Sequence, residues 1–109
     1  MLKILIVDDE PLVRRCLKET IDWESLGFAV VGEASNGQEA LALTRHLRPD
    51  IILTDIMMKT MNGLDMVEQL KNSKNDVEII IITGYENFEF AKRALENNVA
   101  AYILKPVLN

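Results

Sequence analysis

Short runs of apolar, often β-branched residues alternate along the chain with longer segments whose apolar residues recur every three or four positions. The runs at 2–7, 28–33, 51–54, 77–82 and 101–104 have the length and composition of buried strands. Segments with helical periodicity follow the first four runs. Strict alternation of strand and helix is typical of a parallel sheet with helices on both faces. We therefore predict a doubly wound α/β fold with a five-stranded parallel sheet.

Turn and capping signals agree with this division. Pro11 suits the first turn of a helix, where its missing N–H costs nothing. Asn36, with Glu39 three residues later, resembles a capping box at the start of the second helix. Asn97 and Asn98 tolerate the left-handed conformation that ends a helix.

The fifth strand has no following helix, although a doubly wound sheet normally has one there. We therefore expect that the last helix is missing from a shortened chain, or that something else covers that patch.

Composition and charge narrow the class of protein. The 109 residues carry a formal net charge of −5 and are 49% apolar, which predicts one small domain over 1–109. Because contacts to phosphates need clustered Lys and Arg, this domain is not expected to bind nucleic acid directly. The single cysteine, Cys16, excludes an internal disulfide and a Cys-based zinc site. It lies on the predicted apolar face of the first helix, so we expect it in the core. Neither a signal peptide nor an apolar run of membrane-spanning length is present, which favours a cytoplasmic domain.

Polar residues gather where the predicted strands end. Strand one is followed by Asp8 and Asp9, strand three by Asp55, strand four by Thr83, and strand five by Lys105. Ligands of open parallel sheets bind beyond the carboxyl ends of the strands. Carboxylates without a neighbouring His or Cys suit Mg²⁺, or alternatively Mn²⁺, rather than zinc. A carboxylate can also attack a phosphoryl group and form an aspartyl phosphate, helped by a metal and a lysine that neutralise charge.

Five segments of the chain resemble the receiver domain of a two-component response regulator. They lie at or near the strand ends and are residues 6–11, 55–58, 61–63, 82–85 and 104–106. Each segment alone is a weak signal, but all five in this order and spacing are highly specific. Residues 21–28 and 83–91 further resemble receivers that are followed by AraC-type helix-turn-helix domains. The resemblance implies a flavodoxin-like sheet with the strand order 2-1-3-4-5 and an output domain that is absent from this chain.

The resemblance implies a phosphorylation-activated signalling switch rather than an enzyme. Asp55 would accept a phosphoryl group from a sensor histidine kinase. Mg²⁺ would be bound by Asp9, Asp55 and the backbone carbonyl of Met57, with Asp8 acting through water. The activated domain would control transcription through the attached DNA-binding domain, and a homodimer is a further expected assembly.

Three more residues are implied to respond to the phosphoryl group. Lys105 would pair with it, Thr83 would move toward it, and Tyr102 would change rotamer in step, which is a two-state element biased by a local charge. The family often has proline where this chain has Lys59, so a less rigid loop is expected after Asp55.

Other functions fit part of the pattern. A Mg²⁺-dependent phosphohydrolase of the haloacid dehalogenase type would use Asp55 as nucleophile, but it needs a second Asp where this chain has Met57. A flavodoxin-like cofactor binder needs a glycine- or hydroxyl-rich loop after strand one, and the acidic residues at 8–10 would repel phosphate there. A receiver-shaped interaction module that is never phosphorylated would not need the complete set of strand-end residues. Taken singly, each of those residues also has an ordinary role as a cap, a turn residue or a surface charge.

Overall fold

The computed structural model of the chain describes residues 1–56, 58, 61–72, 76–84 and 88–104. These residues form one five-stranded parallel sheet in the order β2-β1-β3-β4-β5. Along the chain the elements are β1 (Leu2–Val7), α1 (Pro11–Thr20), a 3₁₀ turn (Glu24–Leu26), β2 (Phe28–Ala34), α2 (Gly37–Leu47), β3 (Ile51–Thr54), α3 (Gly63–Asn72), β4 (Glu78–Thr83), α4 (Phe88–Glu96) and β5 (Ala101–Leu104). The predicted fold class, strand number and strand order are confirmed.

The register of the sheet brings the ends of the central strands together. Val7 in β1 pairs with Thr54 in β3, and Thr54 pairs with Ile81 in β4. The backbone N–H of Asp55 donates to the carbonyl of Val7 at 3.0 Å, which extends the ladder just past β3. Because neighbouring strands run about 4.8 Å apart, the residues that follow β1 and β3 lie side by side at one edge.

Apolar side chains of the strands alternate between two buried layers. The layer beneath α2, α3 and α4 takes its sheet residues from every second position of three strands: Leu5, Val7, Ile52, Ile79 and Ile81. The opposite layer, against α1, takes the intervening positions together with a helix residue: Ile4, Ile6, Leu53, Ile82 and Leu17. Both faces of the sheet are therefore covered, which explains why these strands are apolar except for Lys3 and Glu78 near their starts and Thr54 and Thr83 at their ends.

Capping residues set the ends of the helices. Asn36 caps α2, because its side chain accepts a hydrogen bond from the backbone N–H of Glu39 at 2.8 Å. The backbone N–H of Ser35 in turn donates to Glu39 Oε1 at 3.2 Å. In a capping box this bond would come from the N–H of Asn36, one residue later. After α2, Arg48 adopts φ 47°, and after α4, Asn98 adopts φ 57°. The predicted left-handed helix stop at Asn98 is confirmed.

The expectation that Cys16 lies in the core is wrong. Cys16 is exposed, with its Sγ 3.5 Å from the hydroxyl of Thr20. Helix α1 turns Leu17 to the sheet, and a step of one residue rotates the helix by about 100°, so Cys16 points away. For the same reason Ala94 of α4 is buried while Leu95 is 70% exposed.

The outer strand β5 leaves apolar surface uncovered. Ile103 pairs with Ile82, which lies in the layer against α1. Ile103 is 37% exposed, whereas Ile82 is buried. Among the helices that the structure describes, none is long and apolar enough to cross a bilayer.

Candidate functional site

Asp55 lies at the carboxyl edge of the sheet, directly after β3, and is half-buried. Its backbone N–H is held by the carbonyl of Val7, and its Oδ1 accepts a hydrogen bond from the N–H of Ile56 at 2.7 Å. The buried hydroxyl of Thr54 donates to the carbonyl of Asp55 at 2.8 Å. The end of β3 therefore orients the backbone of Asp55 and one oxygen of its carboxylate.

The chain passes back over Asp55 at the start of α3. The N–H of Gly63 donates to the carbonyl of Ile56 at 2.7 Å. A Cβ atom at position 63 would lie 2.1 Å from the carbonyl oxygen of Asp55, closer than two such atoms can come. Only glycine fits this approach, since it has no Cβ. The side chain of Asn62 accepts from the N–H of Asp65 at 2.9 Å and so caps the first turn of α3.

The acidic segment after β1 stands next to Asp55. Asp8 is only 2% exposed, and its backbone N–H donates to the carbonyl of Ala34 in β2 at 3.0 Å. Its Oδ1 accepts from the N–H of Glu10 at 2.9 Å. Asp9 is half-buried and Glu10 is exposed. Burial of the Asp8 carboxylate is costly without partners, and the hydrogen bond to the following turn offsets part of that cost.

Two charged residues that the sequence analysis missed border this acidic segment. Arg14 of α1 donates from Nη1 to the carbonyl of Asp8 at 2.6 Å and from Nε to Glu33 Oε1 at 3.2 Å. Glu33 lies near the carboxyl end of β2, so the reasoning applied to the other strand ends could have found it. Arg14 gave no such signal, because a charged residue on an amphipathic helix ordinarily faces solvent.

Thr83 and Tyr102 complete the described part of this edge. Thr83 closes β4 and is fully buried. Tyr102 pairs with Ile81, and its ring packs against the core layer beneath α2, α3 and α4. Burial, and secondly the negative charge of Asp55, raise the pKa of the Tyr102 hydroxyl above its usual value of 10.0. The tyrosine is therefore within electrostatic reach of Asp55.

The fold thus brings four of the residues predicted for the site to one edge: Asp8, Asp9, Asp55 and Thr83. Tyr102 comes from β5 at the side of this edge, and the charge of Asp55 contributes to the raised pKa of its hydroxyl. The predicted metal ligand Met57, the predicted phosphoryl partner Lys105 and the loop residue Lys59 lie outside the described residues.

The donor atoms at this edge suit a hard cation. Within the described part of the chain, no three His, Cys, Asp or Glu side chains form a group arranged to hold a metal ion. Magnesium does not need such a group, because it commonly takes one or two carboxylates and completes its shell with carbonyl and water oxygens. The carboxylates of Asp9 and Asp55, with Asp8 behind them, have the chemistry of such a site.

The parallel sheet with acidic residues at its carboxyl edge fits the predicted class of signalling domain, and comparison with known proteins identifies the family. The sequence profile of the response regulator receiver domain matches residues 4–109. The chain therefore belongs to the response regulator receiver domain family. Its members are signalling domains rather than enzymes in the usual sense.

Curated relatives are longer proteins of the same class. An uncharacterized response regulatory protein of Staphylococcus epidermidis is 40% identical over 107 residues, which cover 98% of this chain and 42% of that protein. The uncharacterized transcriptional regulatory protein YesN of Bacillus subtilis is 39% identical over 106 residues, or 97% of this chain and 29% of that protein. The chain therefore spans less than half the length of these relatives.

Solved structures show the same architecture. The receiver domain of AraT, a response regulator from Geobacillus stearothermophilus, superposes with a TM-score of 0.87 at 38% identity, covering 96% of this chain and 81% of that one. CheY of Borrelia burgdorferi, in a complex with CheX, BeF₃ and Mg²⁺, superposes with a TM-score of 0.87 at 25% identity, covering 98% and 80%.

Proposed function

We propose that this domain is a phosphorylation-activated switch in which Asp55 accepts a phosphoryl group from a sensor histidine kinase. The observation that carries the proposal is the position of Asp55: it is half-buried beside the acidic segment that follows β1, with its backbone and one carboxylate oxygen already oriented. In the transfer, the other carboxylate oxygen forms a bond to phosphorus while the bond from phosphorus to the kinase histidine breaks. Such a reaction depends mainly on positioning and on charge neutralisation.

Several residues of this chain would assist the transfer. Asp9, Asp55 and the carbonyl of Met57 would hold Mg²⁺, with Asp8 acting through water. The bound ion would neutralise charge on the phosphoryl oxygens. Lys105 would balance the remaining charge from the end of β5. The pairing of oxygen ligands with Mg²⁺ is supported by the donor chemistry at this edge, and CheY of Borrelia burgdorferi is an example of a related domain solved with BeF₃ and Mg²⁺.

The response would pass through Thr83 and Tyr102 to the surface of α4 and β5. Thr83 is buried at the end of β4, where its hydroxyl could donate to a phosphoryl oxygen after a small movement. Burial, and secondly the charge of Asp55, raise the pKa of the Tyr102 hydroxyl. A phosphoryl group on Asp55 would change that charge, and the ring of Tyr102 would change rotamer in step.

The output would be control of transcription by a DNA-binding domain outside residues 1–109. YesN is named as a transcriptional regulatory protein, and this chain matches 29% of its length. The net charge of −5 leaves DNA binding to such a domain rather than to the receiver. A cytoplasmic location and a homodimer of the activated form belong to the same proposal.

The decisive experiment is incubation with acetyl phosphate and Mg²⁺, followed by intact mass measurement and peptide mapping. We expect a phosphoryl adduct on the peptide that contains Asp55, lost in Asp55→Asn and retained in Asp76→Asn, an exposed aspartate before β4. No adduct, together with no spectral response to beryllofluoride, would instead support a receiver-shaped interaction module. Steady release of phosphate from small phosphate esters would support a phosphohydrolase.

A further inference from the structure

The side chain of Arg14 joins the acidic segment after β1 to the neighbouring strand β2. It projects from the first half of α1, and only 16% of its side chain is exposed. Its Nη1 donates to the carbonyl of Asp8 at 2.6 Å and its Nε to Oε1 of Glu33 at 3.2 Å. Lys18, one turn further along α1, lies 3.5 Å from Oε2 of Glu33. Both carboxylate oxygens of Glu33 therefore face cations of α1.

The carbonyl that Arg14 holds belongs to the peptide bond between Asp8 and Asp9. A peptide unit is planar and rigid, so the direction of this carbonyl sets the direction in which the chain enters Asp9. On the other side of the same segment, the carboxylate of Asp8 is held by the N–H of Glu10 at 2.9 Å. Hydrogen bonds therefore hold both the backbone carbonyl and the carboxylate of Asp8, directly before Asp9.

Arg14 and Glu33 bring opposite charges to the neighbourhood of the acidic segment. The guanidinium of Arg14 brings a positive charge toward the carboxylates, and Glu33 opposes it with a negative one. The pair also fixes the directions of two hydrogen bonds, one to the carbonyl of Asp8 and one to the carboxylate of Glu33. Arginine can bind two acceptors in fixed directions through its planar fork, whereas a lysine ammonium acts as a single flexible point charge.

We infer that Arg14 is a positioning residue for the metal-binding acidic segment, and that Glu33 anchors Arg14 in place. The inference rests on the proposed function, because it concerns the Mg²⁺ site at Asp9 and Asp55. Residues that orient metal ligands from behind typically change metal affinity by about 10- to 100-fold when they are mutated.

The test replaces Arg14 by lysine, which keeps the positive charge and removes the fork. Mn²⁺ is the probe, titrated by electron paramagnetic resonance against wild type, Arg14→Lys and the control Arg15→Lys. Arg15 is adjacent on α1, but its side chain is 70% exposed and pairs with Glu19 instead. We expect the dissociation constant to rise about tenfold or more in Arg14→Lys and to stay at the wild-type value in Arg15→Lys.

Two further measurements separate positioning from a merely structural role. The urea midpoint of the metal-free protein should be the same in Arg14→Lys and Arg15→Lys. The rate of phosphorylation by acetyl phosphate should reach nearly the wild-type value in Arg14→Lys at saturating Mg²⁺, with half-saturation displaced to higher concentration. Glu33→Gln should weaken Mn²⁺ binding in the same direction, which keeps the test valid if Arg14→Lys folds poorly.

The outcomes distinguish the inference from the proposed function. Equal Mn²⁺ affinity in wild type, Arg14→Lys and Glu33→Gln would overturn the inference and leave the proposed function standing. A fall in affinity that is matched by a fall in the urea midpoint would also overturn it. Failure of the wild-type protein to bind Mn²⁺ or Mg²⁺ would overturn both.

Discussion

At the scale of single residues, the candidate site depends on close contacts that few other side chains allow. Gly63 passes directly over the carbonyl of Asp55, Thr54 donates to the same carbonyl, and Tyr102 senses the charge of the Asp55 carboxylate. Thr54 and Gly63 thus restrict the backbone of the predicted phosphoacceptor, and the charge of its carboxylate acts on Tyr102. Small changes at these residues should therefore have measurable effects.

Gly63→Ala should destabilise the fold and disturb the site. The added methyl group would meet the carbonyl oxygen of Asp55 at 2.1 Å, so the start of α3 must shift. Overpacking of this kind costs about 1–3 kcal/mol, and we expect the free energy of unfolding in urea to fall by at least that. Gly84→Ala is the matched control, because a Cβ there meets nothing within 4 Å. A loss below about 0.5 kcal/mol in Gly63→Ala would contradict the predicted contact.

The hydroxyl of Tyr102 should titrate at a pH that depends on Asp55. Its pKa is raised above 10.0 by burial and by the charge of Asp55, so Asp55→Asn should lower it. The chain has two tyrosines, and ultraviolet titration of tyrosinate in a Tyr85→Phe background isolates Tyr102. Asp76→Asn should leave the midpoint unchanged. A midpoint that is the same with and without the Asp55 charge would show that the two residues do not interact.

The raised pKa of Tyr102 also makes the free energy of unfolding fall at alkaline pH. Because the folded-state pKa lies above that of the unfolded chain, the neutral hydroxyl stabilises the fold fully below about pH 10. This contribution is lost as the pH rises from there through the folded-state pKa. Tyr102→Phe should therefore show a flatter loss of unfolding free energy above that pH than wild type does.

At the scale of elements, ion pairs connect helix α4 to its neighbour α3. Arg93 of α4 donates from Nε to Glu68 of α3 at 3.1 Å, and its Nη2 contacts both Glu68 and Asp65. The hydrogen bond to Glu68 is the main reason that the pKa of Arg93 is raised, although burial opposes it. A movement of α4 during signalling would have to stretch or carry along these contacts.

A double-mutant cycle with Arg93→Gln and Glu68→Gln should reveal a modest coupling. Both side chains are more than a third exposed, so we expect about 0.5–1 kcal/mol in urea unfolding at low ionic strength. The coupling should shrink in 1 M salt, where the Debye length is about 3 Å. Pairing Lys92→Gln with Glu68→Gln gives the control, since Lys92 is exposed and should show no coupling. A coupling that does not change with salt would rule out an ionic origin.

At the scale of the whole molecule, the sheet gathers distant parts of the chain. Asp8 and Asp55 are separated by most of two βα units, yet the paired strands β1 and β3 place them at the same edge. The resulting concentration of negative charge opposes folding unless a cation joins it. A bound Mg²⁺ should therefore stabilise the domain as a unit.

The free energy of unfolding should rise with Mg²⁺ concentration. Above the dissociation constant, each tenfold increase in Mg²⁺ should add about 1.4 kcal/mol if one ion binds only the folded state. Urea unfolding over a Mg²⁺ series at constant ionic strength measures this slope. Asp9→Asn should flatten it, and Asp76→Asn at the opposite edge of the sheet should not. A flat series for wild type, or one that is equal in Asp9→Asn, would argue against the proposed metal site.

The sequence by itself determined the elements, the fold class and the strand ends at which the chemistry gathers. Local pattern was sufficient because β1, apart from Lys3, and β5 are apolar runs, and because Asn36 and Asn98 act on their own helix ends. The same pattern placed Asp55 after β3, where parallel topology leaves only one edge for it. Those properties depend on neighbours a few residues away, which a sequence displays directly.

The tertiary structure alone decided how the strand ends are supported. The bond from Arg14 to the carbonyl of Asp8, and the approach of Gly63 to Asp55, join segments whose distance depends on the packing of helices on the sheet. The exposure of Cys16 has the same origin, since helical periodicity does not show where the covered face of α1 stops. Periodicity is a property of one element, whereas these contacts arise only when two elements meet.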